Sequence, residues 1–119
     1  MAGTQNEWLV ILPDKPDAVS RRLAVRSEHL AAATERVKAG VINFGGIMLH
    51  DHPVEGETPK FKGSIMLLQV PTREDVVQII KGDKYVENDV WDLDKGYADK
   101  YASYQMEIYP FRTALRKGI

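Results

Sequence analysis

The chain has 119 residues, of which 44% are hydrophobic, enough for one packed domain without metal or disulfide support. It contains no cysteine, which excludes a disulfide framework and a cysteine nucleophile. Its net charge of −1 lacks the basic excess of nucleic-acid binders, and no apolar run approaches the roughly 20 residues of a membrane span, so we expect a soluble, cytoplasmic protein with no nucleic-acid or membrane partner.

The first predicted elements are a strand and a long helix. Residues 7–12 (EWLVIL) are an apolar run of strand formers that Pro13 ends. Residues 17–39 are expected to be helical, with Gly40 at the position of a left-handed C-cap. Apolar residues recur there at spacings of four and seven, and we expect them to face the core: Val19, Leu23, Leu30 and Val37.

Two further strands are predicted in the middle of the chain. Residues 41–49 (VINFGGIML) have strand composition, and the pair Gly45-Gly46 indicates a bulge or a close backbone approach where this strand bends. A polar loop over residues 50–60 leads to a third strand over residues 61–70 (FKGSIMLLQV). These two strands are expected to form a long-looped hairpin.

A short helix and a last strand complete the predicted order. Thr72 precedes Asp75 by three positions, the spacing of a capping box, and this helix is expected to end at Gly82. Residues 83–103 show no clear period. Residues 104–111 alternate well enough for a closing strand, and a basic tail follows.

The order strand, helix, strand, strand, helix, strand is that of the ferredoxin-like split βαβ unit. It predicts an α+β fold in which helices cover one face of an antiparallel sheet. Residues 8–12 and 65–68 are continuous apolar runs, whereas a strand with one wet face should alternate. We therefore expect the sheet of a second copy to cover the other face in a symmetric homodimer, and an internal core remains the alternative.

The first predicted helix carries Arg22, Arg26 and His29 along one flank, in the stretch RLAVRSEHL. On a helical wheel Arg26 lies beside the apolar stripe, and the other two fall about 100° to one side of it. A solvated face is the commoner explanation for arginines on a helix. A histidine can exchange a proton near neutral pH, so a functional role stays open beside that explanation.

Several short motifs occur in the order and spacing of one known family. They are RLAVRSEHL with the preceding Asp14, Gly45-Gly46 after a strand, Gly63-Ser64, GDKYV at residues 82–86, and Pro110-Phe111. Together they make nearly the whole chain resemble the YciI-like (YCII-related domain) family. The resemblance implies one such domain over residues 1–119, a ferredoxin-like subunit, a dimeric α/β barrel and a cleft with a histidine-aspartate pair.

The resemblance also assigns candidate site residues. The family's helix histidine falls on His29 and its aspartate on Asp83, which are expected to be the catalytic pair. A carboxylate bonded to one imidazole nitrogen fixes the tautomer and makes the other nitrogen the proton acceptor that a general base requires. Arg26 and Arg22 are expected to be substrate-binding, with Arg26 on an anionic oxygen and Arg22 contributing its field or a structural ion pair.

Aromatic residues are frequent toward the C-terminus, which suits an apolar ligand pocket, although such residues more often simply pack. Tyr85 and Trp91 are the two expected to contact the substrate. Residues 91–103 exceed the family pattern by about ten residues, and such an insertion is either a lid over the cleft or a variable surface loop.

Three positions depart from the family pattern and bear on the local shape of the pocket. Lys84 and Gly46 stand where the family has proline, and Asp89 stands where it has glycine.

His50 and His52 would point the same way on an extended chain, as two metal ligands do. No third ligand stands at a recognisable spacing, so we expect neither a metal nor a cofactor.

The function that these residues predict is acid-base chemistry, because no phosphate-binding loop, serine elbow or metal cluster is recognisable. We expect a small cofactor-independent enzyme, a lyase or isomerase that uses His29 and Asp83 on a small cyclic or aromatic metabolite in a biosynthetic or catabolic pathway such as secondary metabolism. The alternative is a non-catalytic dimeric protein that binds a metabolite or assists a pathway enzyme. Hydrogen-bond contact between His29 and Asp83 beside a cleft distinguishes the first from the second.

Overall fold

A computed structural model describes residues 6–93 and 106–117. In chain order these residues form β1 (Asn6–Pro13), α1 (Val19–Lys38), β2 (Ile42–Leu49), β3 (Phe61–Val70), α2 (Arg73–Lys81), α3 (Lys84–Glu87) and β4 (Glu107–Phe111). The predicted α+β order is confirmed. The short helix α3 is an addition, in a stretch whose sequence shows no clear period.

The four strands form one antiparallel sheet in the order β2-β3-β1-β4, which is the predicted ferredoxin-like arrangement. The central strand β1 pairs with β3 along its whole length, from Asn6 opposite Val70 to Pro13 opposite Gly63. It pairs with β4 on its other side. Side chains of β1 point alternately to the two faces of the sheet: Val10 and Leu12 are buried, whereas Leu9 and Ile11 on the other face are only partly buried.

Strand β2 lies at one edge of the sheet and is irregular. Its register against β3 shifts between Ile42 and Phe44 and again between Met48 and Leu49, so the irregularities flank the glycine pair instead of falling on it. At Gly45 a Cβ atom would lie 3.3 Å from Cγ of the Met66 side chain, so the tight contact there is with a side chain of β3.

The main core lies between the helices and one face of the sheet. Its buried apolar side chains come from all layers and include Val10, Leu12, Leu68, Val76, Ile80, Tyr85, Val90 and Trp91. Helix α2 joins this core through Val76 and Ile80. It begins with the predicted capping box, in which Thr72 Oγ1 accepts from Asp75 N at 3.1 Å and Asp75 Oδ2 accepts from Thr72 N at 3.1 Å.

Helix α1 presents a different face to the sheet from the one predicted. The residues expected to be buried are 38% to 52% exposed, so that prediction is wrong: Val19, Leu23, Leu30 and Val37. The face toward the core carries Arg22, Val25, His29 and Ala33, which also recur at helical spacing. Two polar side chains can lie on this face because Arg22 and His29 each bond to a buried carboxylate.

The predicted insertion over residues 91–103 lies outside the described residues except for residues 91–93, and so does its proposed role as a lid. In the part of the chain that is described, no helix combines the length and apolarity needed to cross a membrane.

The face of the sheet opposite the helices carries Leu9, Ile11, Phe44 and Tyr109, and the last two are 52% and 45% exposed.

Candidate active site

His29 and Asp83 are in direct contact. Helix α1 carries His29 near its middle, and Asp83 is the N-cap of α3. Oδ1 of Asp83 lies 2.8 Å from Nδ1 of His29 and also accepts from the backbone N–H of Tyr85 at 2.8 Å. An ionised carboxylate only accepts hydrogen bonds, so the proton of this bond is on Nδ1, and in the neutral form of the imidazole the free lone pair is on Nε2.

The guanidinium of Arg36 also reaches the carboxylate of Asp83. Nη1 of Arg36 lies 3.9 Å from Oδ2 of Asp83, whose side chain is 4% exposed. Arg36 follows His29 by seven residues, two turns along the same face of α1, so both side chains reach Asp83 from one helix. Sequence reasoning missed this residue, and its spacing from His29 is the signal that could have found it.

The imidazole of His29 is packed among aromatic rings. Tyr85 stacks on it with ring centroids 3.9 Å apart and planes inclined by 13°. Trp91 meets both rings edge-on, at centroid distances of 5.6 Å from His29 and 5.3 Å from Tyr85. Burial raises the pKa of the Tyr85 phenol above its usual value of 10.0, against the opposing effect of the Arg22 charge. The phenol is therefore neutral at physiological pH.

Arg22 lies beneath this ring stack and is 1% exposed. It makes a two-point ion pair with Asp14, at 2.9 Å from Nε to Oδ2 and 2.7 Å from Nη2 to Oδ1. Its guanidinium lies 4.7 Å from the centre of the Tyr85 ring and 5.1 Å from that of Phe61. Paired with Asp14 and enclosed by rings, Arg22 takes the position of a structural ion pair.

Ser64 on β3 joins Arg22 to Trp91. Its hydroxyl oxygen accepts from Nη2 of Arg22 at 3.0 Å and from the indole nitrogen of Trp91 at 3.2 Å. The backbone of Trp91 also forms a bridge with that of Asp14. Asp14, the ion-pair partner of Arg22, and Trp91, whose ring packs on His29, are therefore held together.

These side chains surround a cleft of about 230 Å³ between α1 and the β2-β3 edge of the sheet, lined by His29, Arg22, Arg26, Ser64, Tyr85 and Trp91. Gly45 and Gly46 of β2 also line it. Arg26 is exposed and makes no ion pair with any described residue. Five of the predicted site residues thus line one cleft. The sixth, Asp83, does not line it but forms a hydrogen bond with Nδ1 of His29.

Other candidate positions lie away from this cleft. His50 and His52 are on the exposed loop between β2 and β3. Across residues 6–93 and 106–117, no group of three His, Cys, Asp or Glu side chains is placed to hold a metal ion. A larger cavity of about 500 Å³, lined by His50 and by residues at the end of β1, includes neither His29 nor Asp83.

Comparison with known protein families identifies one that matches most of the chain. The family model of the YCII-related domain matches residues 7–93, a range that includes Arg26, His29 and Asp83. The match confirms the resemblance noted in the sequence. It ends before the Pro110-Phe111 motif.

Two proteins of similar sequence come from fungi. Fusaric acid biosynthesis protein 2 of Gibberella fujikuroi (strain CBS 195.34) is 32% identical over 113 residues, which cover 95% of this chain and 99% of that protein. The protein named aspartate kinase FUB3 of Fusarium oxysporum f. sp. lycopersici is 32% identical over 114 residues. This match covers 96% of the present chain but 19% of the kinase.

A solved structure shares the fold. It is 5-chloro-2-hydroxyhydroquinone dehydrochlorinase (TftG) from Burkholderia phenoliruptrix AC1100, in complex with 2,5-dihydroxybenzoquinone. The similarity has a TM-score of 0.68 at 18% identity and covers 91% of this chain and 95% of the other. This likeness supports the ferredoxin-like fold seen in the described residues.

Proposed function

Since the chain belongs to the YCII-related domain family, we propose that it is a small enzyme in which His29, held by Asp83, transfers protons on a small oxygenated cyclic or aromatic metabolite. The reaction is of the lyase or isomerase type. The observation that carries the proposal is the 2.8 Å contact between Nδ1 of His29 and Oδ1 of Asp83 at the wall of a cleft. This arrangement leaves Nε2 as a proton acceptor with a fixed orientation.

Each step of the proposed chemistry has a residue to perform it. Nε2 of His29 takes a proton from a ring carbon beside a carbonyl, and the electrons of the broken C–H bond delocalise onto the carbonyl oxygen. Arg26, which has no ion-pair partner among the described residues, holds the negative charge on the substrate. Return of the proton to a different carbon completes an isomerisation, and departure of a leaving group completes an elimination.

The class of substrate follows from the lining of the cleft and from the similar proteins. Tyr85 and Trp91 offer aromatic surface to a flat ring, and Arg26 offers a charge to an oxygen substituent. The structural neighbour acts on a hydroxylated aromatic ring, and one fungal relative is named for the biosynthesis of fusaric acid. Proton transfer of this kind involves no net oxidation, so the proposed enzyme works without a cofactor.

Solvent deuterium exchange tests the proposal with simple probe compounds in place of the natural substrate. The protein is incubated in heavy water with hydroxylated aromatic probes, namely resorcinol, phloroglucinol and hydroxyquinol, and loss of the ring-proton NMR signals is followed. We expect the wild-type protein to accelerate exchange of at least one probe, and the His29→Asn variant to leave its rate at the buffer value. Equal rates with wild type, His29→Asn and buffer alone for every probe would overturn the proposal.

A non-catalytic accessory role is the second candidate. The observation that favours it is the relative named aspartate kinase FUB3, in which the matching segment is a small part of a much longer protein. As an accessory module, the chain would bind a metabolite in the same cleft and act on a partner enzyme. Under this alternative His29→Asn changes probe affinity, and no probe exchanges faster with the wild-type protein than in buffer.

We also propose that two copies associate through the faces of the sheet opposite the helices. Apolar side chains on that face come from all four strands and include Leu9, Ile11, Phe44, Ile65 and Phe111. Phe44 and Phe111 are 52% and 42% exposed in the single chain. A second copy of this sheet would remove that apolar surface from water.

A further inference from the structure

The hydroxyl of Ser64 is unusual because both groups bonded to its oxygen are obligatory donors. The guanidinium of Arg22 donates to it at 3.0 Å and the indole of Trp91 at 3.2 Å. Neither a guanidinium nor an indole N–H can accept a hydrogen bond. The two lone pairs of the oxygen are therefore occupied, and the hydroxyl proton of Ser64 must be donated to something else.

Within the described parts of the chain, no acceptor takes that proton. Ser64 is 5% exposed, so bulk water does not surround the group. The residue lines the cleft that also contains His29 and Arg26. Trp91 contacts His29 through its ring and Ser64 through its nitrogen, which places the hydroxyl and the imidazole on neighbouring parts of the cleft wall.

We propose that Ser64 donates a hydrogen bond to an acceptor oxygen of the substrate, and that Arg22 and Trp91 are positioning residues that hold its proton toward the cleft. This inference rests on the proposed function and deepens it, because it specifies the substrate group beside the reacting carbon. That group is a carbonyl that becomes an oxyanion when His29 removes the neighbouring proton. A substrate that presents an N–H donor at this place would meet a second donor and be rejected.

The surroundings of Ser64 suit stabilisation of a developing negative charge. Both hydrogens of Arg22 Nη2 are in use, one on Asp14 and one on Ser64, so the guanidinium cannot turn away. Arg22 polarises the hydroxyl, and the hydroxyl passes the effect to the substrate oxygen. Such a preorganised donor strengthens its bond as the carbonyl becomes an enolate, which lowers the barrier to proton removal.

The test uses para-nitrophenolate as a probe, since it carries one oxyanion and absorbs visible light. When the probe is bound, a hydrogen bond donated to its phenolate oxygen places the absorption band at shorter wavelength than in the same site without that bond. We expect the wild-type protein and Ser64→Thr, which keeps a hydroxyl, to bind the probe with this shift. Ser64→Ala should bind about 10- to 100-fold more weakly, without the hydrogen-bond shift, because a bond to a charged acceptor is lost.

Wild-type affinity and band position in a folded Ser64→Ala protein would overturn the inference, while the deuterium exchange assay would still decide the proposed function. A Ser64-dependent shift with no exchange activity would support the donor role and contradict the acid-base reaction. Where Ser64→Ala does not fold, the wild-type protein is titrated with para-nitroaniline, which replaces the oxyanion by an amino donor of similar size. Binding of the aniline as tight as that of the phenolate, or no binding of the phenolate, counts against the inference.

Discussion

The phenol ring of Tyr85 lies flat against the imidazole of His29, with ring centroids 3.9 Å apart. The same ring is also in contact with the guanidinium of Arg22, 4.7 Å from its centre. The catalytic candidate His29 is thus held by packing against Tyr85 and by the carboxylate of Asp83 at Nδ1. Two independent constraints leave the imidazole a narrow range of orientations.

Removing the ring of Tyr85 should therefore affect both stability and proton transfer. We expect Tyr85→Ala to lower the free energy of unfolding by about 3–5 kcal/mol, since a fully buried ring is deleted. Tyr85→Phe keeps the stack and should cost less than about 1.5 kcal/mol. Urea unfolding measures both values. A Tyr85→Ala protein that folds and retains the wild-type rate of deuterium exchange would show that the stack does not position His29.

The contact between His29 and Asp83 makes a prediction about the imidazole tautomer. Nitrogen NMR of the wild-type protein should show the proton on Nδ1 of neutral His29, because Asp83 accepts it. Asp83→Asn keeps an N-cap for α3 but offers an amide that can donate, so the proton should redistribute toward Nε2. We expect exchange rates to fall about 10²- to 10⁴-fold in Asp83→Asn and in His29→Ala. Wild-type rates in a folded His29→Ala protein would show that His29 is not the base.

The buried ion pair between Arg22 and Asp14 should be strongly coupled. Both side chains are nearly inaccessible, at 2% and 6% exposure. We expect Asp14→Asn or Arg22→Met alone to lower the free energy of unfolding by about 3–5 kcal/mol, because each leaves the partner's charge buried and unpaired. The double variant should lose clearly less than the sum of the two. Additive losses in a double-mutant cycle would mean that the pair is not coupled.

The secondary structure could be predicted largely from local pattern. The bounds of β3 and the capping box of α2 are confirmed, because alternation, turn residues and capping chemistry act over a few residues. Helix α3 has four residues, too few for a hydrophobic period to appear. The contact between His29 and Asp83 is predicted only through the family resemblance, since no local rule joins residues 54 positions apart.

The buried face of α1 could not be predicted in the same way. Counting apolar residues favours burial of the face with Leu23 and Leu30, yet the face that packs against the sheet is the one with Arg22. Burial of Arg22 depends on Asp14 before the helix and on Ser64, which lies 42 residues away. A pattern that treats every arginine as solvent-facing misses this, because the partners of a buried charge are set by tertiary structure.

Association through the open face of the sheet is tested by sedimentation. We expect the wild-type protein to sediment at twice the 13.4 kDa mass of one chain at micromolar concentrations. Phe44→Glu places a charge on the apolar face opposite the helices and should produce monomers. Leu23→Glu is a matched control, since Leu23 is 47% exposed on α1 and should leave the dimer intact. A wild-type mass of 13.4 kDa across that concentration range contradicts the dimer.

The C-terminal tail should respond to acid through Glu7. The carboxylate of Glu7 accepts from the backbone N–H of Thr113 at 2.8 Å and from its hydroxyl at 2.6 Å. The backbone bond, followed by the hydroxyl bond, lowers the pKa of Glu7 below its usual value of 4.5. A lowered pKa in the folded state means that the ionised form stabilises the fold. This contribution is present above pH 4.5 and is lost as the pH falls through the lowered pKa.

NMR titration of the Thr113 amide proton measures this linkage, because its chemical shift reports the bond to Glu7. We expect the signal to titrate with a midpoint below pH 4.5 as the tail is released. Glu7→Gln provides the control, since its neutral amide cannot ionise: the acid transition should vanish, and the tail should be held more weakly at neutral pH. A wild-type midpoint at or above 4.5 would contradict the prediction, because Thr113 would then give the ionised form of Glu7 no advantage.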